Sequence, residues 1–418
     1  MCILKDLAMI YHIFAPERKV NTVVELPASK SISNRVLILN ALSYSDYPIE
    51  NLSVCDDTEV LRSALESNNN HFDIHAAGTA MRFLTAFLAK VVGEWTITGT
   101  ERMKQRPIRI LVDALNSVGA KIEYMEKEGF PPLRIFGSAL QGGEISLDGS
   151  VSSQYISALL MIAPLMEKGL TLRLSGKVIS KPYISLTLQL MKQFGVTAKW
   201  SDNVIEVVPQ EYKPVPFVVE SDWSAASYWY EIAALSSQPE IVLNGLFKKS
   251  MQGDAVVGRL FERIGIGSSF ERDRVKLRKN GNFSKRLNYD FTDEPDLAQT
   301  FVVTCALLGI PFRFSGLQSL KIKETDRIEA LKAELKKFGY LLRDEKNSVL
   351  EWDGERCEPD IAPVVCTYED HRMAMSFAPV ALKLPAGIRI KEPEVVSKSY
   401  PTFWQDLQKA GFRIEKEE

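Results

Sequence analysis

The chain has 418 residues, two or three times a typical domain, and 45% of them are apolar, so one functional cleft between two sizeable cores is the simplest expectation. Its 51 basic and 53 acidic residues leave a formal net charge of −2, which argues against non-specific nucleic-acid binding and requires any anionic ligand to be held by a local cluster of Lys and Arg. Five cysteines, at 2, 55, 305, 357 and 366, form no CxxC pair and no His-flanked cluster, so neither a zinc site nor a disulfide framework is expected and a reduced cytoplasmic setting fits.

The opening MCILKDLAMIYH carries charges inside its apolar stretch and offers no small-residue cleavage site, so it does not read as a secretory signal. The first clear element is a polar cluster running straight into an apolar helix, ASKSISNRVLILNAL (28–42). Its run Val36–Leu42, like Phe301–Ile310 further on, is about half the roughly 20 residues of a membrane span and reads as a core helix. Next comes a second kind of unit, an amphipathic helix that stops and runs into a β-like segment: LRSALESNNNHFDI (61–74), with Asn at the stop. The two kinds then alternate. Polar-to-apolar helices recur as AGTAMRFLTAFLA (77–89), SSQYISALLMIAPL (152–165), SDWSAASYWYEIAAL (221–235), EPDLAQTFVVTCALL (294–308) and YEDHRMAMSFAPVAL (368–382). The stopping helices recur as LVDALNSVGAKIEY, LTLQLMKQFGVTAKW, RLFERIGIGSSF, ALKAELKKFGYLLR and FWQDLQKAGFRIE, with stops at Gly119, Gly195, Gly265, Gly339 and Gly411, spaced 76, 70, 74 and 72 apart. Glycine suits a helix stop because it enters the left-handed region without penalty; Asn is the next best residue. Six helix pairs with strands between them predict two closed domains of three βα-rich repeats each.

The starts of the apolar helices carry Ser29, Lys30, Ser31, Gly78, Thr79, Ser152, Ser153, Gln154, Asp222, Asp296, Asp370, His371 and Arg372. A helix start presents free N–H groups and about half a positive charge, so several aimed together would bind a strongly negative ligand. The plainer reading makes the Ser, Thr and Asp residues N-caps. Lys30, Gln154 and Arg372 are not preferred caps, which tilts the balance toward a ligand site.

The motifs PASKSISNR (27–35), AGTAMR (77–82), ERMKQRPI (101–108), SSQ (152–154), SKPY (180–183), EPD (294–296), KETDR (323–327), DHRMAM (370–375) and Lys398, in this order over nearly the whole chain, resemble the 5-enolpyruvylshikimate-3-phosphate synthase family. The resemblance implies an α/β (α+β) fold of two similar domains, each a threefold βαβαββ repeat forming an inside-out α/β barrel, with the active site in the interdomain cleft. One domain would span 28–221, the other 1–27 plus 222–418. It implies transfer of the enolpyruvyl group of phosphoenolpyruvate to the 5-hydroxyl of shikimate 3-phosphate, a step of the shikimate pathway toward chorismate and aromatic amino acids, with no cofactor or metal. A cytoplasmic monomer without nucleic-acid or membrane partners is expected, and glyphosate should compete with phosphoenolpyruvate beside Gly78.

By the same resemblance, Lys30, Ser31, Arg35, Ser152, Ser153, Gln154, Ser180, Tyr183, Asp296 and Lys323 bind shikimate 3-phosphate. Phosphoenolpyruvate, a denser anion, falls to Arg106, Arg327, Arg372 and Lys398, with Lys30, Gly78 and Gln154 adjoining. Asp296, Glu324 and Lys30 are the candidate proton-transfer groups. His12, His71 and His75 match no family site and are expected at the surface; His371 is expected to pack and orient Arg372. Two positions depart from the usual family pattern of Asn: Ala76 before AGT and Ser319 before KETDR. Both lose hydrogen-bonding reach and leave the charged set whole. A sibling class that transfers enolpyruvyl to a UDP-linked amino sugar commonly has a reactive Cys before an Arg-Pro in the loop matching Gly93–Pro107, where this chain has none. A non-catalytic binder of phosphorylated acids is supported only by the two departures.

Overall fold

A helix apolar on every side can only sit where other elements surround it. In Trp223–Leu235 every residue except Ser224 is buried, and in Ala298–Leu308 the run from Ala298 to Ala306 is buried. The structure, a computed structural model, describes residues 9–15 and 17–417; Cys2 and the opening residues up to Ala8 lie outside them. The chain divides into two units: the described residues of Met1–Pro27 with Glu220–Glu418, and Ala28–Val219. The second crossing is visible in the backbone hydrogen bonds. Val219 N donates to Glu50 O in one unit, whereas Ser221 N donates to Gly245 O and Asp222 N to Pro27 O in the other.

Each unit has the same plan. In the first, helices Trp223–Leu235, Ala298–Leu308 and His371–Phe377 pack on one another; in the second, Lys30–Leu42, Gly78–Lys90 and Ser153–Ile162 do so. Around them lie the amphipathic helices and the sheets. Among the described residues, five four-stranded sheets share one pattern, a parallel pair followed by two antiparallel strands. In the second unit these are His71–Asp73, Gly93–Thr98, Leu133–Gly137 and Lys121–Tyr124, and Gly143–Asp148, Leu170–Ser175, Val204–Val207 and Lys199–Ser201; a shorter pair joins Ile49–Glu50 to Phe217–Val218. In the first unit they are Lys19–Glu25, Gln238–Asn244, Arg274–Phe283 and Ile264–Glu271, and Leu287–Asp290, Phe312–Ser315, Val349–Trp352 and Arg343–Glu345. Its third sheet sets Ile10–Phe14 between Ile388–Lys391 and Arg413–Glu417, so the strand nearest the N-terminus stands where a later strand stands elsewhere. Phe261, Phe301, Phe291 and Phe314 form a chain of ring contacts at 4.6, 5.6 and 5.1 Å that joins sheets to helices in this unit's core.

The glycine stops take the predicted backbone. Gly119, Gly195, Gly339 and Gly411 have φ of 105°, 85°, 84° and 95°, each just past a helix. Gly265, with φ of 102°, differs: its helix ends at Glu262 and it lies inside the strand Ile264–Glu271, at a register shift. The Asn stop does not form. Helix Asp56–Glu66 passes directly into extended backbone at Ser67, and Asn70 O already accepts from Thr96 N. His12 is buried rather than exposed, because its Nε2 lies 2.8 Å from Ala386 O, its Nδ1 3.0 Å from Glu417, and its ring against Phe14; His71 and His75 are exposed.

Candidate active site

In the first unit the charged residues converge on Asp296. Pro295 opens a 3-10 turn, Pro295–Leu297, ahead of helix Ala298–Leu308, so Asp296 is not a cap of that helix. Its carboxylate receives Arg372 Nη2 at 2.9 Å and Arg327 Nη1 at 3.3 Å, with Lys323 Nζ at 3.6 Å. Arg327, the first residue of helix Arg327–Lys337, is buried and also grips Asp370 at 2.7 and 3.3 Å and Glu324 at 2.9 Å. Asp370 caps helix His371–Phe377 by accepting from Arg372 N, so one carboxylate fixes both arginines. Arg372 Nη1 reaches the Tyr228 hydroxyl at 3.3 Å, and Lys398 Nζ donates to Glu369 O at 3.0 Å. His371 is buried beside Asp370.

Burial alone would raise the Asp296 pKa, but Arg372, Lys323 and Arg327 outweigh it and hold the carboxyl well below the usual carboxylate range. Burial would likewise lower the Arg327 pKa; Asp370, Glu324 and Asp296 reverse that and keep the guanidinium charged. Two neighbouring acids behave in the opposite way. Burial first, then the charge of Asp296, lifts Asp254 to about 6, and burial lifts Glu294 to about 7.

In the second unit, Lys30 opens helix Lys30–Leu42 and lies 3.2 Å from Asp57. Gly78 opens helix Gly78–Lys90 with the Arg106 guanidinium laid against it: a Cβ at Gly78 would come within 2.6 Å of Arg106 Nη1. Arg82 donates to Gly78 O at 3.2 Å and to Pro107 O at 3.1 Å, and Tyr155 OH donates to Pro107 O at 2.5 Å, so both sides of this contact are tied. Ser152 caps helix Ser153–Ile162, and Gln154 Nε2 donates to Thr79 Oγ1 at 3.3 Å. Arg35 is buried and its guanidinium points inward, to Thr187 Oγ1 at 2.7 Å, Ser31 O at 2.8 Å, Ser157 Oγ at 3.1 Å and Tyr183 O at 3.4 Å. That network joins the start of one helix to the start of Lys181–Gln193, where Ser180 holds left-handed backbone.

The sequence model of EPSP synthase (3-phosphoshikimate 1-carboxyvinyltransferase) matches residues 60–407. The chain belongs to the EPSP synthase family. It is 61% identical over 407 residues to 3-phosphoshikimate 1-carboxyvinyltransferase of Bacteroides fragilis, covering 97% of this chain and 99% of that one. It is 36% identical to the protein of that name from Vibrio atlanticus, over 94% and 97% of the two chains. Its fold is similar to that of EPSP synthase from Acinetobacter baumannii, with a TM-score of 0.77 at 20% identity, covering 98% of this chain and 100% of that one.

Of the residues the EPSP synthase motifs pointed to, the structure brings Asp296, Lys323, Glu324, Arg327 and Arg372 together in one unit and places Lys398 against the turn that carries Arg372. In the other unit Gly78 meets Arg106, and Gln154 meets Thr79. The capping reading holds for Ser152, Asp222 and Asp370, whose side chains accept from backbone N–H groups, and fails for Ser29, which makes no such bond. Arg82 closes the AGTAMR motif without having been given a role, and Asp57, Tyr228 and Asp254 carried no site signal of their own. Asp57 sits among Asp56 and Glu59 in a first helical turn, where acids are common for dipole reasons, and Tyr228 lies in a run that reads as core. Among the described residues no group of three or more His, Cys, Asp or Glu is placed to hold a metal ion, and no helix is long and apolar enough to cross a membrane.

Proposed function

We propose that the chain transfers the enolpyruvyl group of phosphoenolpyruvate to the 5-hydroxyl of shikimate 3-phosphate. The observation that carries this reading is the convergence of Arg327, Arg372 and Lys323 on Asp296, with Glu324 bound to the same Arg327. Two cationic forks suit a small, dense anion such as phosphoenolpyruvate, and acids beside them suit proton transfer. The hydroxyl oxygen adds to C2 while C3 gains a proton. C3 then loses a proton, the C–C double bond re-forms and inorganic phosphate leaves from C2. Asp296 accepts the hydroxyl proton, and Glu324 and Lys30 serve the transfers at C3 and to the departing phosphate.

In this reading Lys30, Ser31, Arg35, Ser152, Ser153, Gln154, Ser180, Tyr183, Asp296 and Lys323 hold shikimate 3-phosphate, Arg35 also fastening Ser31 and Tyr183 from within. Arg106, Arg327, Arg372 and Lys398 hold phosphoenolpyruvate beside Lys30, Gly78 and Gln154. The two units serve as the family's two domains, and the chain works as a cytoplasmic monomer.

The direct test is phosphate release, which should require both substrates together. Because Arg and Lys neutralise the developing charge, the rate should be undiminished by a metal chelator; loss on chelation, reversed by a divalent ion, would overturn the metal-free mechanism. The placement of Arg106 has its own test. Gly78→Ala puts a methyl group within 2.6 Å of Arg106 Nη1, so the guanidinium must shift. Losing or bending one charge-assisted contact should raise the KM for phosphoenolpyruvate by about ten- to a hundredfold, with a smaller effect on kcat. An unchanged KM would remove Arg106 from that pocket.

A further inference from the structure

Immediately before the helix start that carries Asp370 and Arg372, two consecutive residues with side chains, Tyr368 and Glu369, hold left-handed backbone, with φ of 55° and 57°. That conformation is unfavourable for any residue with a Cβ and persists only where the surroundings over-determine it. Here the restraint comes largely from one helix. Arg327 and Glu334 stand two turns apart on Arg327–Lys337 and so share a face. Arg327 grips Asp370 through two hydrogen bonds. Glu334 has no exposed surface and accepts from the Tyr368 hydroxyl at 2.6 Å, from Lys337 Nζ at 2.7 Å and from Cys366 N at 3.3 Å. Lys398 adds a bond to the Glu369 carbonyl at 3.0 Å, and Asp370 N donates to Thr367 O at 2.9 Å. The strained pair therefore sits in a segment tied on either side, and its direction decides where Asp370, Arg372 and the Lys398 ammonium stand.

We infer that Tyr368 and Glu334 are positioning residues, whose hydrogen bond holds the left-handed turn that aims Arg372 and Lys398 at phosphoenolpyruvate. The role assigned to these cations rests on the function proposed above; the role of the bond in holding the turn does not. Both parts are tested with the natural chain, Tyr368→Phe, and Tyr368→Phe combined with Glu369→Gly, since glycine adopts left-handed backbone without penalty. Two measurements are needed: steady-state kinetics for each substrate, and backbone amide hydrogen exchange at Asp370 and Arg372, which requires no activity.

Tyr368→Phe removes a hydrogen bond to a charged acceptor, so the KM for phosphoenolpyruvate should rise roughly tenfold, that for shikimate 3-phosphate by less than about threefold, and both amides should exchange faster. Adding Glu369→Gly should return the phosphoenolpyruvate KM and the exchange rates toward those of the natural chain. A lower melting temperature with both KM values unchanged, an equal rise in both, or no recovery in the double variant would each overturn the inference. If the natural chain released no phosphate at all, the functional reading would fail by itself. Exchange would then decide the rest, and amides unaffected by Tyr368→Phe would refute the positioning role.

Discussion

Asp296→Asn and Glu324→Gln should each lower kcat by roughly 10²- to 10⁴-fold, the usual scale for a positioned proton-transfer group, while circular dichroism stays that of the natural chain. The fold should survive because Arg327 keeps its two bonds to Asp370 in both variants. Near-normal turnover in either variant would remove that residue from its proposed role. The electrostatics add a second expectation. A carboxyl held far below its ordinary pKa is a poor base, and Asp296 is so held by Arg372, Lys323 and Arg327. Those three cations are the ones proposed to receive substrate anions. When phosphate and carboxylate groups engage them, less positive charge is left for Asp296, its pKa rises and it becomes able to accept the hydroxyl proton. The acidic limb of the kcat profile, which reports the complex, should therefore lie at higher pH than that of kcat/KM, which reports the free enzyme. Superimposed limbs that both depend on Asp296 would contradict this.

The second large effect is on stability. Arg327→Met should destabilise the unit formed around residues 220–418 by about 3–5 kcal/mol in denaturant unfolding, the usual scale for removing one member of a buried ion pair. Arg327 has 1% of its surface exposed and faces three carboxylates, so methionine would leave Asp370, itself fully buried, without its principal cation. Arg327→Lys should fall between, because one ammonium cannot reproduce a fork that reaches three partners. A shift below about 1 kcal/mol for the Met variant would mean that the cluster is not part of the folding free energy.

The sixfold repeat was legible because it is written in local terms: apolar runs, amphipathic runs and a glycine at the stop. Gly119, Gly195, Gly339 and Gly411 behave as their positions predict. Where the expectation failed, a non-local contact had intervened. The chain leaves its helix in extended backbone at Ser67, with the Asn70 carbonyl taken by Thr96 N, and His12 is buried by Ala386 and Glu417, far along the chain. The site shows the same division. Residues inside short dense motifs such as KETDR and DHRMAM were legible. Asp57, Asp254, Tyr368 and Glu334 act on motif residues through contacts that spacing does not encode, and each has an ordinary local explanation as a helix-start acid, a core side chain or a surface charge.

The third sheet of the larger unit has a consequence for how the protein is made. Ile10 pairs with Glu417 and Phe14 with Arg413, so a strand made early finds this neighbour only much later in translation. At about 5–20 residues per second, roughly 400 residues of synthesis separate the two by some 20–80 seconds. Residues 28–219 complete their own sheets and core well before that. The nascent chain therefore passes through a long interval in which the inserted unit is able to fold and the enclosing one is not, with the strand Ile10–Phe14 exposing unpaired backbone edges throughout. That interval, rather than the finished molecule, is where chaperone dependence and loss to aggregation should concentrate.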